Sequence, residues 1–437
     1  MGCGGVCFTA KIVFIGAGSV VFASRLLTDI VYHPELRNST ISLMDIDAER
    51  LNVITRFAYT LASKYAPGLK IQSTLDRREA LDGADYVIVM IQVGGLEAFE
   101  YDIYIPLKYG VNQEVGDTIG PGGVFRGLRT IPVLLDICYD MEDLCPDALL
   151  INYANPMAIN CWAMNRATKI RNVGLCHSVQ GTARTLAGYI GVLYEDIYYW
   201  VAGINHQAFF LEFRYRGRDA YPLLWKAMEN KEIYEKDKVR FEMMKYLGYF
   251  ITESSHHLSE YIPYFRANEE RRRRYCEPRW FYLEICKTRW KPHFERIERQ
   301  IRGEEPIEIN RSDEYGIDII YSMETGRVCR INGNVENRGL ITNLPYGCCV
   351  EVPCMVDRGG IHPCHVGDLP PQCAALNRTN INVQELAVKA ALEKDRTAVI
   401  EAIMFDPLTS AILTPREIEE MVNEMFKAEA KWIPWLS

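Results

Sequence analysis

Short apolar runs alternate with helical stretches through the first third of this 437-residue chain, and that alternation restricts its fold more than any other feature. Residues 11–15 read as a strand and 19–32 as a helix; residues 40–45 read as a second strand that ends on an acid. Asp47 is placed to cap a long amphipathic helix over 48–64. Strands follow over 69–74 and 86–92, then a helix from about 130 to 144 and a strand over 148–153. Parallel neighbours need a crossover of helix length, so the pattern predicts an α/β fold with a doubly wound parallel sheet and ligands at the carboxyl ends of its strands.

The turn after the first strand reads Gly16-Ala17-Gly18-Ser19-Val20-Val21, two of the three glycines of a dinucleotide-binding fingerprint. A strand runs in and a helix runs out. Asp45 closes the second strand 27 positions beyond Gly18, where a carboxylate can accept both ribose hydroxyls of NAD and repel the 2′-phosphate of NADP. Gly16 permits the tight turn, and Gly18 lets the backbone approach a pyrophosphate at the helix N-terminus. Gly16, Ala17, Gly18, Ser19, Val20, Asp45 and Gln92, the last at the end of the fourth strand, are therefore the expected NAD contacts of a Rossmann-like domain. A tight turn that holds no cofactor is the competing reading.

A net charge of −8 argues against nucleic acid as a partner, and the four arginines 271–274 follow two glutamates, as on a solvated helix face. Fourteen cysteines are scattered over a long chain with no secretion signal, which fits reduced thiols in the cytoplasm. Cys3 and Cys7 lack a second half at zinc-site spacing. No apolar run reaches the length of a membrane span, so no membrane partner is expected.

Gly174-Leu-Cys-His-Ser178 and Gly203-Ile-Asn-His206 place a thiol and an imidazole on two separate segments, a pair that a plain dehydrogenase does not need. If Cys176 and His206 converge they can hold a divalent metal, which beside a nicotinamide would polarise a hydroxyl or ketone. On residue statistics alone Cys176 reads as a core cysteine. Asn152-Tyr153-Ala154-Asn155-Pro156 forms an Asn-Pro turn after a strand, similar to relatives of lactate and malate dehydrogenase, and Asp117 lies in a glycine-rich stretch. Asp117 and Asn155 are short polar groups at positions where the backbone can approach a ligand; turn formation explains them equally well.

These residues carry a resemblance. Phe14-Ile-Gly-Ala-Gly-Ser19, Leu43-Met-Asp-Ile-Asp47, Gly116-Asp-Thr-Ile-Gly-Pro-Gly-Gly123, Asn155-Pro-Met-Ala158, Gly174-Leu-Cys-His-Ser178, Ala202-Gly-Ile-Asn-His206 and Thr252-Glu-Ser-Ser255 occur in order, and from residue 11 onward the chain resembles the family 4 glycoside hydrolases. The resemblance implies NAD and Mn2+ as cofactors, with Cys176 and His206 as metal ligands. It implies a route unlike the two-carboxylate scheme of most glycosidases: oxidation at sugar C3, deprotonation at C2, loss of the aglycone, water addition and re-reduction, with retention. Family members for unphosphorylated sugars carry histidine after the metal cysteine, as at His177, and Ser178 resembles the α-galactoside-cleaving branch. An α-galactoside is thus the implied substrate, with glucosides or uronides as alternatives. His177 is the candidate general acid, with hydrogen bonding beside the metal as its other reading. Tyr261 and Glu253 are the candidates for the base at C2.

Past residue 172 the periodicity shifts to helices over 222–247 and 269–302, the latter expected to break at Pro278 and Pro292, a strand-like run over 347–356, and closing helices over 384–402 and 417–430. No linker separates the parts. A division into an NAD-binding domain, 1–172, and an α+β metal and substrate domain, 173–437, is expected to share one continuous core with the site between them. The assembly expected is a homodimer or homotetramer, with Trp432 and Trp435 either at an interface or packed within the protomer. Two other functions remain open: an NAD-dependent hydroxy-acid dehydrogenase, which needs a carboxylate-binding arginine and no metal pair, and a non-catalytic NAD sensor.

Overall fold

The structure, a computed structural model, describes residues 9–436; Cys3 and Cys7 lie outside the described residues. The first six strands are β1 (Lys11–Ile15), β2 (Thr40–Met44), β3 (Lys70–Thr74), β4 (Tyr86–Val89), β5 (Leu149–Asn152) and β6 (Asn172–Gly174). They pair in parallel in the order β3-β2-β1-β4-β5-β6, the doubly wound order whose switch point lies between β1 and β4. Ile12, Val13, Phe14, Val87 and Ile88 are all buried, because helices cover both faces of a parallel sheet.

The sheet continues past β6. Six further strands follow in the chain: β7 (Ile197–Ile204), β8 (Gln207–Tyr215), β9 (Arg218–Asp219), β10 (Cys329–Glu336), β11 (Cys349–Asp357) and β12 (Gly360–Pro363). β10 pairs antiparallel with β6, and β11, β7, β8 and β9 extend the same sheet, with β12 on β11. The 172/173 position falls within β6. One apolar core runs from Val13 and Phe125 to Ile381 and Met421, and the helix Pro371–Glu393 packs on the helices Gly120–Leu144 and Met157–Ala167. Trp435 packs against that core and the Trp432 ring lies 6.3 Å from Tyr101, both within the protomer. No helix among the described residues is long and apolar enough to cross a membrane.

Several expected boundaries are corrected. β2 and β4 stop at Met44 and Val89, so Asp45 and Gln92 stand in the loops beyond the strand ends. The helix expected from residue 130 begins at Gly120, with Pro121 in its first turn; residues 120–131 are all buried, and tertiary packing there overrides the poor helix propensity of glycine. The stretch 222–247 is three helices, Tyr221–Met228, Lys231–Lys236 and Lys238–Leu247, because Asn230 caps a new start by accepting from Glu232 N at 2.9 Å. The break at Pro278 occurs; that at Pro292 does not. The helix Tyr282–Ile301 runs through Pro292 because the carbonyl the proline leaves free belongs to exposed Thr288. Residues 384–402 span two helices, parted where Lys394 takes a φ of 58° and Asp395 caps Arg396–Met404.

Candidate active site

Parallel strands aim their carboxyl ends at one edge, and that edge gathers the residues singled out above. Gly16–Ser19 follow β1, Asp45 follows β2, Gln92 lies beyond β4, Asn155 beyond β5 and Cys176 beyond β6. Gly16 has a φ of 86°, and the amides of Gly16 and Ala17 both donate to Met44 O at 3.0 Å, which folds the turn over the end of β2. The Asp45 carboxylate accepts from Gly18 N at 2.6 Å and Asp47 N at 2.9 Å. A Cβ on Gly18 would stand 2.7 Å from that carboxylate, so the glycine is needed for the acid's approach as well as for any ligand. Val20 opens the helix Val20–Tyr32, and the exposed Gln92 amide donates to Gly95 O at 3.2 Å.

His206 occupies the two-residue turn between β7 and β8, where Ile204 pairs with Gln207. Its Nε2 lies 3.2 Å from Cys176 Sγ and 3.7 Å from Glu253 Oε2, and one donor atom from each of Cys176, His206 and Glu253 falls within 4.8 Å of the others. Thiolate, imidazole and carboxylate together suit a divalent transition metal. His206 Nδ1 is 3.0 Å from His257 Nε2, the partner that fixes which ring nitrogen faces the cluster. His206 and Glu253 adopt φ values of 62° and 76°, a left-handed backbone that costs roughly 1–2 kcal/mol per residue and concentrates at working sites. Burial pushes the Cys176 thiol well above its usual range, so a metal must displace its proton. Burial opposes ionisation of Glu253, yet His206, His257 and His177 hold its carboxyl below the ordinary value. Burial, then His206, lowers His257 to about 4.

Tyr261 is fully buried and its hydroxyl has no hydrogen-bond partner; its ring is 5.3 Å from His257 and 6.4 Å from His206. Burial, followed by Asp117 and Glu253, keeps the phenol well above its usual range in the absence of a cation. Glu253 and Tyr261 thus occupy different places: Glu253 stands inside the donor cluster, and Tyr261 beside it. His177 immediately precedes the helix Ser178–Ile190, with its side chain 71% exposed and its Nδ1 3.8 Å from Glu314 Oε1. Asn155 Nδ2 donates to Asp117 Oδ2 at 3.1 Å, and the Thr118 hydroxyl donates to Asp117 Oδ1 at 2.6 Å. Burial opposes the Asp117 charge, but Arg126 and then His257 hold its carboxyl low.

The sequence reading missed the roles of four residues. His257 orients His206 through the 3.0 Å contact between their ring nitrogens. Glu260 ties the Asp117 loop to the Tyr261 segment, its carboxylate accepting from the amides of Glu114, Val115 and Gly116, while Arg266 spans Asn112, Glu114 and Ser259. Arg126, in the second turn of the helix Gly120–Leu144, faces Asp117. No spacing rule brings residues 117, 126, 155 and 261 together; the fold does.

The family 4 glycosyl hydrolase model matches residues 11–192, and the model of that family's C-terminal domain matches residues 201–409. The chain belongs to family 4 of the glycosyl hydrolases. It is similar to an alpha-galactosidase of Bacillus subtilis (strain 168), 44% identical over 97% of this chain and 99% of that protein. A second alpha-galactosidase, from Rhizobium meliloti (strain 1021), is 41% identical over 97% of this chain and 89% of that one. Among solved structures, a 6-phospho-alpha-glucosidase from gut microorganisms in complex with NAD and Mn2+ superposes with a TM-score of 0.84 at 23% identity, covering 98% of this chain and 100% of that chain. This family 4 fold therefore extends over both halves.

Proposed function

We propose that this family 4 member hydrolyses α-galactosides with NAD and Mn2+ as cofactors. The Cys176–His206–Glu253 cluster carries the reading, because it stands at the same sheet edge as the Gly16–Gly18 turn and Asp45. The donor set fits a divalent metal, and the similarity to two alpha-galactosidases supports the sugar. When bound, NAD supplies a reversible hydride acceptor for sugar C3 and Mn2+ a Lewis acid for the C2 and C3 oxygens. Asp45 accepts the ribose hydroxyls, with Ala17, Ser19, Val20 and Gln92 around the cofactor. Cys176, His206 and Glu253 are the metal ligands. Tyr261, as the tyrosinate that a bound cation would favour, takes the C2 proton: its buried hydroxyl stands beside the cluster without a hydrogen-bond partner. His177, exposed and next to Cys176 in the chain, gives a proton to the departing glycosidic oxygen and takes one from the incoming water. Asp117 and Asn155 hold sugar hydroxyls. Twelve free cysteines among the described residues support a reducing, cytoplasmic setting. The homo-oligomer belongs to the same proposal, supported by exposed aromatics such as Tyr246 and Tyr346.

The metal cluster weighs against a hydroxy-acid dehydrogenase or a sensor. The test is a panel of p-nitrophenyl α- and β-glycosides in D2O with NAD, Mn2+ and a thiol reductant. The expected result is turnover of the α-galactoside, lost on chelation, with deuterium at C2 of the released galactose. Galactose released without C2 deuterium, or turnover by protein freed of metal, would overturn the reading.

A further inference from the structure

Arg126 is more than nine-tenths buried, yet its Nη1 has no hydrogen-bond partner. Its nearest compensating charge is Asp117, with Oδ2 at 3.9 Å, an ion-pair distance beyond hydrogen-bond range, and its guanidinium lies 5.4 Å from the centre of the Phe99 ring. Asp117 is already engaged, accepting Thr118 on one oxygen and Asn155 on the other. A buried cationic N–H left unmade is expensive, and guanidinium can only donate. The ion pair explains why the charge is tolerated; it leaves open what satisfies the donor. Nη1 is 3.9 Å from Asp117 Oδ2, the oxygen that also accepts Asn155, so the unsatisfied donor stands beside the two residues placed on the sugar.

We infer that Arg126 contacts the substrate directly, donating from Nη1 to one ring hydroxyl oxygen of the glycone and reading that hydroxyl together with Asp117 and Asn155. The inference rests on the proposed function for the location of the glycone. Arg126 takes no part in proton or hydride transfer. It determines specificity, because a sugar lacking that hydroxyl leaves a buried cationic donor without an acceptor.

The experiment is a thermodynamic cycle on binding. Inhibition constants for galactose and its 2-, 3-, 4- and 6-deoxy forms are measured with holoenzyme of the wild type, Arg126→Met and Arg126→Lys. The wild type is expected to bind one deoxy sugar roughly ten- to a hundredfold more weakly than galactose, the loss of one charge-assisted hydrogen bond. In Arg126→Met that gap should close to within about twofold while the other gaps stay, with NAD and Mn2+ affinities unchanged. Arg126→Lys, which retains a charge for Asp117, should fold and recover only part of the gap; it carries the cycle if the methionine variant does not fold. An arginine that merely neutralises Asp117 would leave all four gaps in place in either variant, and that outcome overturns the proposal. If the wild type binds glucose or galacturonate in place of galactose, the function proposed above falls; the same cycle on that sugar's deoxy series then decides Arg126.

Discussion

Glu253 shows how one carboxylate can be assigned two chemistries until its surroundings are known. As a base it would need a free lone pair facing a carbon acid; as a ligand it needs thiolate and imidazole donors at contact distance, and those are what it has, 3.7 Å from His206 in the same cluster as Cys176. Its left-handed backbone, unusual for glutamate, points the same way. Glu253→Gln keeps the shape and removes the charge. If Glu253 is a ligand, the variant should bind Mn2+ on the order of tenfold or more weakly, as titrated by electron paramagnetic resonance, and recover activity at high Mn2+. Tyr261→Phe should retain full Mn2+ affinity and lose C2 exchange. The reverse pattern, normal metal binding with lost exchange in Glu253→Gln, would return Glu253 to the role of base.

At the scale of elements, strands and caps were legible because their signals are local. β1, β2 and β3 lie within one residue of their expected limits, and Asp47 caps its helix by accepting from Glu49 N and Arg50 N. The misread elements depend on tertiary burial, as at Gly120, or on caps inside a longer periodic run, as at Asn230 and Asp395. Another such cap carries a pH prediction. Asp406, fully buried, opens the helix Pro407–Ser410; one carboxylate oxygen accepts both Thr409 N and its hydroxyl, and the other has no partner. Burial outweighs the Thr409 bonds and lifts its pKa to about 6. The folded state then holds a proton between about pH 4 and pH 6 that the unfolded chain has released, so this group's contribution to stability falls as pH rises through that window. Asp406→Asn accepts the same bonds without a charge. Its unfolding free energy relative to the parent should climb between pH 4 and pH 7, by a difference on the order of 3 kcal/mol, and level off above. A difference flat with pH would remove the assignment.

For the whole molecule, the relevant fact is that the cofactor edge and the metal cluster share one sheet and one core. β10 joins β6 through the Asn334–Gly174 pair, where Asn334 Nδ2 also donates to Gly174 O at 3.2 Å, two residues before Cys176. Arg129, fully buried, is held by Asp102 from the N-terminal half and by Glu429 at 2.8 Å from the last long helix. The sequence showed no linker between the halves, and it showed Cys176 and His206 as motifs; it could not show that β10 and β11 lie between β6 and β7, because strand order depends on contacts more than a hundred residues apart. That order joins the two binding regions mechanically. Calorimetry of the metal-free, NAD-free chain is therefore expected to give a single unfolding transition, although a chain of this length often splits. Each cofactor at about a hundred times its dissociation constant should stabilise that same transition by about 2.7 kcal/mol, and the two together should raise it further without dividing it. Two separable transitions, one moved only by NAD and the other only by Mn2+, would mean that the sheet shared by β6 and β10 does not couple the halves.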